Sequence, residues 1–110
     1  MFKIEKDPQF THEVKVMTPV DGGHQADTFK ATFRLLPADK VEKHNLVGGG
    51  QGTVEFLKEA VIGLDGIMDD EEKPIPFSDA LRDKVLAIYG ARLALFDTYI
   101  RAVTKAAAGN

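Results

Sequence analysis

An α+β fold, a small N-terminal antiparallel sheet of two or three strands packed against about four helices, is what the sequence predicts. Three observations predict it. Strand-like alternation is confined to the first third of the chain, helical spacing of apolar residues fills most of the remainder, and glycine or proline breaks separate the segments. The 110 residues suit a single domain, 1–110, with one core.

The elements follow in order. In FTHEVKVMTP, Val14 and Val16 alternate with Lys15 and Met17 until Pro19 ends the run. TFKATFRLL places Phe29, Ala31, Phe33 and Leu35 on one face and Lys30, Thr32 and Arg34 on the other, as in a strand with one buried face. The polar link VDGGHQAD between them predicts a hairpin with a loop longer than two residues. MFKIEKD also alternates, with Phe2 and Ile4 on one side, and is a candidate third strand.

Pro37 suits a helix start, and Val41 with Leu46 gives that helix a weak apolar edge before VGGGQG breaks the chain. A central helix is expected over TVEFLKEAVIGL, where Val54, Leu57 and Val61 stand at i, i+3 and i+7 beside Phe56 and Ala60. It should cover the strand face that carries Phe33. Gly63 and Gly66 end it, and Pro74 with Pro76 keeps MDDEEKPIPF out of any helix. Ser78, the only serine, can cap a third helix carrying Leu81, Val85 and Ile88. Gly90 interrupts, and Leu93, Phe96, Tyr99, Ile100 and Val103 form the stripe of a closing helix. The tail AAAGN offers little to pack.

Composition narrows the function. With no cysteine, disulfides, thiolate metal sites and cysteine nucleophiles are excluded. A net charge of -3 without a basic stripe argues against nucleic acid. The chain has no secretory leader and no membrane-spanning apolar run, so a soluble intracellular protein is expected, without membrane partners.

No chemistry-bearing motif emerges. GGGQG, Gly48 to Gly52, lacks the lysine and hydroxyl of a phosphate-binding loop and reads as a flexible linker. His12, His24 and His44 have no ligand spacing, and MDDEE lacks the alternating carboxylates and turn glycine of a calcium loop. Ser78 has no triad partners, and Glu55 and Glu59 beside Lys58 read as solvated helix charge. No catalytic residue, metal site or cofactor is therefore expected, and the chain reads as a non-enzyme.

One stretch resembles a known family. FLKEAVIG, then LDGIMDD, then KPIPFS, then two helices finishing ALFDTYIRAV, is similar to the tail assembly chaperones of long-tailed, siphovirus-type bacteriophages and prophages. KDPQF, the strand pair and the intervening Gly-Gly extend the likeness over nearly the whole chain, and Phe56 to Ser78 carries its specific part. The family commonly has tryptophan where Leu64 stands, and often glycine in place of Glu72 or Lys73. Without that glycine, the turn can close if its residues keep negative φ.

The resemblance implies a binding protein of the host bacterial cytoplasm that holds the tape measure protein and promotes tail tube polymerisation around it. A longer, frameshifted product would contact the tail tube protein. The stripe Leu93, Phe96, Tyr99, Ile100 and Val103 is the candidate partner-binding surface, with Tyr99 its most informative member. The alternative is a small structural tail protein that stays in the virion and homo-oligomerises through an edge strand or apolar surface.

Overall fold

A computed structural model of the chain describes residues 1–44 and 46–107; the end of the AAAGN tail, 108–110, lies outside it. Two twelve-residue strands, β1 (Gln9–Val20) and β2 (Gly23–Arg34), pair antiparallel from Gln9↔Arg34 to Val20↔Gly23. The connection is the two-residue turn Asp21-Gly22, with Gly22 at φ +79, and not the longer loop expected from VDGGHQAD. Polar residues did not end the ladder because residues 21–28 are exposed, so that part of the hairpin needs no apolar side chains to continue pairing.

The third strand is not MFKIEKD. It is β3 (Val61–Asp65), which pairs antiparallel with the other edge of β2, giving the order β1-β2-β3. Residues 1–8 lie in no strand or helix. The helix expected through Leu64 accordingly stops at Ala60. Val61 and Ile62 are β-branched and Gly63 is a poor helix former, while the open edge of β2 supplies partners to their backbone groups. A register shift between Thr32 and Phe33 accommodates the entry into β3.

Among the described residues, four α-helices complete the fold: α1 (Ala38–Lys43), α2 (Gln51–Ala60), α3 (Asp79–Leu86) and α4 (Tyr89–Ala107). The α+β architecture of an N-terminal antiparallel sheet with four helices is thus observed. Ser78 caps α3 as its sequence context requires, its Oγ accepting the Leu81 N–H at 3.0 Å. Arg82 ties α3 to α2 by donating from Nη1 to the Lys58 carbonyl at 3.1 Å. The α3–α4 break lies at Ala87 and Ile88, and Gly90 belongs to the first turn of α4. Ile88, expected on the buried stripe of α3, lies beyond its last turn and is 59% exposed.

The core fills one side of the sheet. Val14 and Val16 of β1 and Ala31 and Phe33 of β2 are buried beneath Phe56, Leu57, Leu95 and Tyr99. The helix lying along β1 is α4, and its Tyr99 ring meets Phe33 at 5.7 Å and Phe10 at 5.6 Å. The expected pairing of this strand face with Leu57 and Val61 on one helix is therefore corrected: α4 shares the cover with α2, and Val61 is in the sheet. Leu35 also departs from expectation. The strand ends at Arg34, Leu35 turns outward, and Leu36 packs against the core in its place.

Candidate functional site

The stripe proposed from sequence divides into two roles. Tyr99 is only 2% exposed, and its Oη accepts the Leu36 N–H at 3.1 Å. Phe56 meets it edge-on at 5.0 Å. Burial raises its phenol pKa above the ordinary value, with the Leu36 hydrogen bond opposing in part. A side chain so enclosed cannot touch a partner, so Tyr99 is a core residue and not the interface anchor it resembled. Leu93 is exposed, and Phe96, Ile100 and Val103 are half-buried along the outer margin of α4. Helical periodicity locates an apolar face without stating whether the chain's own core consumes it.

Instead of a free linker, the glycine run is a docked segment. Gly48 accepts the Tyr89 hydroxyl at 2.9 Å, and Gly49 accepts Arg92 Nη1 at 2.8 Å. Arg92 Nε also reaches the Leu86 carbonyl at 2.8 Å, joining this segment to the α3–α4 corner. Gly49 is buried at φ +67, and a Cβ there would stand 2.5 Å from Leu93 Cδ2.

The polar residues singled out by sequence remain apart. Phe10 meets His12 edge-on at 5.7 Å, His24 is exposed near the hairpin tip, and His44 Nε2 lies 3.8 Å from Glu59 Oε2. Among the described residues, no three His, Cys, Asp or Glu side chains converge on one point. Glu55 accepts from Gln51 at 2.7 Å, and Glu59 lies 3.7 Å from Lys40.

Two open cavities stand out. One, about 640 Å³, is lined by Arg34, Lys40, Lys58 and Arg82 together with Glu59 and Asp79. Most of its cations already have partners: Arg34 binds Asp7 at 2.7 Å, and Arg82 lies 3.3 Å from Asp79 and 3.2 Å from Asp83. The Asp7 carboxyl is held below its usual pKa by the hydrogen bonds from Arg34 and Gln9.

The other, about 420 Å³, is more apolar. Val16, Phe29, Ile67, Met68, Val85 and Ile88 line it, with Thr18 and Asp27 at its hairpin end. Met68 at 57% and Ile88 at 59% are open to solvent, beside Val85, which is buried. Sequence reasoning missed this groove because β1, β2, the loop after β3, α3 and the α3–α4 corner each contribute a few residues. The one available signal was Met68, an apolar residue at a loop position; Ile88 read as part of the α3 stripe.

Among the described residues, no helix is long and apolar enough to cross a membrane. Comparison of the chain with known protein families, with curated proteins and with solved structures found no match.

Proposed function

We propose that this protein is a tail assembly chaperone of a siphovirus-type phage or prophage, binding the tape measure protein and promoting polymerisation of the tail tube around it. The observation that carries the reading is the conformation of Phe56 to Ser78, the stretch with the specific resemblance. It runs without interruption from α2 into β3, through a small acidic hairpin, to the Ser78 cap of α3. In that hairpin Glu72 has φ +62, at one of the two positions where the resembled family often has glycine.

The client of such a chaperone is long and helical, with apolar faces exposed until tube subunits cover them. A stoichiometric cover needs an apolar surface of its own and no reaction. With Tyr99 assigned to the core, the outer margin of α4 supplies it: Leu93, Phe96, Ile100 and Val103, at helical spacings suited to helix-against-helix docking. A longer product reaching the tail tube protein belongs to the same reading. The place of action is the host bacterial cytoplasm.

Co-expression tests it. The tape measure protein from the same genome is expected to be soluble and to co-purify only when this chain is present. Leu93→Lys, at an exposed site, should abolish co-purification while leaving the melting temperature within a few degrees of wild type. A tape measure equally soluble alone, and never co-purifying, ends the reading.

A second reading has its own observation. Among the described residues β1 pairs only with β2, leaving its outer edge without a strand partner over twelve residues, which suits a structural tail protein that assembles by strand addition. Its presence in purified mature virions would select this alternative.

A further inference from the structure

We propose that the N-terminal segment Met1–Lys6 of one copy docks in the acid-rimmed apolar groove of a second copy, joining chains head to tail. The inference does not depend on the nature of any client. Phe2 is 91% and Ile4 94% exposed, two large apolar side chains on a segment belonging to no strand or helix. The groove between the hairpin and the α3–α4 corner is the complementary feature, with exposed Met68 and Ile88 over half-buried Phe29 and buried Val85.

Charge favours the pairing. Lys3 and Lys6 flank Ile4, with Glu5 between them, so the segment is net basic. Asp27 lines the groove, and the exposed Asp70 stands two residues beyond its lining residue Met68, while Asp69 between them binds the Glu71 and Lys73 N–H groups of its own turn. Opposite charges at the rim of an apolar contact steer the encounter and fix its direction.

Reach decides whose groove is filled. Asp7 is held to Arg34 Nε at 2.7 Å, and the neighbouring Pro8 carbonyl accepts the Leu35 N–H at 2.8 Å, so the segment departs from the first-residue end of β1. The near end of the groove is at Phe29, opposite Val14 and seven residues beyond Asp7, about 23 Å away along an extended strand at about 3.3 Å per residue, and its body at Val16 is about 30 Å away. Phe2 is five residues before Asp7 and can extend at most about 18 Å from it. The body of the chain's own groove, around Val16, is out of range. A second copy has no such limit, and because donor and acceptor surfaces differ, each added copy presents both again. Such a heterologous contact propagates as a ring or an open filament instead of stopping at a symmetric dimer.

Sedimentation velocity on the untagged full chain, over a wide concentration range, reads the outcome. Wild type should grow in size with concentration. The tail variant Phe2→Asp/Ile4→Asp and the groove variant Ile88→Asp should each remain monomeric, with unchanged circular dichroism and melting temperature. The mixture of the two variants is decisive: one retains a groove and the other a tail, so they should form a one-to-one dimer and stop there. Met68→Asp replaces Ile88→Asp if the latter unfolds. Wild type that is monomeric throughout overturns the proposal. So does a tail variant that still assembles, which would give the groove or the β1 edge a different occupant, and so does a variant mixture that stays monomeric.

Discussion

Glu72 is the one non-glycine residue with positive φ among those described, at +62. The turn thus closes without glycine, but not by keeping negative φ throughout. The tight bridge between Met68 and Pro74 forces the left-handed conformation, with Asp69 N–H donating to the Lys73 carbonyl at 2.9 Å. A Cβ in that region costs about 1–2 kcal/mol, and glycine avoids it while losing some chain entropy. Glu72→Gly should accordingly stabilise the protein by about 0.5–1 kcal/mol, read as a raised urea midpoint at constant slope. A lowered midpoint would contradict the assigned turn geometry. The neighbouring acids are not equivalent: Asp69 accepts the Glu71 and Lys73 N–H groups at 2.9 Å each, whereas Asp70 is simply exposed. Four adjacent carboxylates are indistinguishable in sequence, because the side-chain hydrogen bonds that single out Asp69 exist only once the turn has formed.

The glycine run and the end of α2 mark how far elements were legible. β1 and β2 were readable because alternation survives wherever one face is buried, and Ser78 because capping is a local interaction. β3 was not, since Val61 continues the i, i+3, i+7 spacing of Val54 and Leu57, and only the partner strand decides between helix and sheet. MFKIEKD erred in the opposite sense, alternating without a strand beside it. Gly48 to Gly50 read as a linker because composition cannot report that two of its carbonyls are bound by Tyr89 and Arg92. A pair of substitutions tests that docking. Gly48→Ala meets open space at φ +76 and should cost only the backbone term, about 1–2 kcal/mol. Gly49→Ala carries the same backbone term and also sets Cβ 2.5 Å from Leu93 Cδ2, the end of an exposed side chain that can rotate aside, so its loss should exceed that of Gly48→Ala by no more than about 1 kcal/mol. A Gly49→Ala protein as stable as wild type would contradict the backbone assigned to this segment.

At the scale of the whole molecule, the parts meet at Tyr99. Its ring touches Phe10 and Phe33 of the sheet and Phe56 of α2, while its hydroxyl holds the backbone of Leu36 beyond the end of β2. Sheet, central helix, closing helix and connecting loop thus share one side chain, which ties their integrity to its protonation. Burial raises the Tyr99 pKa above the ordinary 10.0. Below that value the phenol is protonated in folded and unfolded chains alike, and its contribution is complete. As pH rises past 10.0 the unfolded chain releases the proton first, so this contribution shrinks and is gone once pH passes the raised folded value. Tyr99→Phe keeps the ring contacts but removes both the titration and the acceptor for Leu36. At neutral pH it should destabilise by about 1–3 kcal/mol, the loss expected for an unsatisfied, partly buried N–H. Above pH 10.0 the gap between the two proteins should narrow, because only wild type still has this phenol to ionise. Melting temperatures of both proteins across that range provide the measurement. A gap that stays constant through the alkaline limb would show that the Tyr99 phenol does not couple folding to pH, and that the hydroxyl is not the enclosed group on which these elements converge.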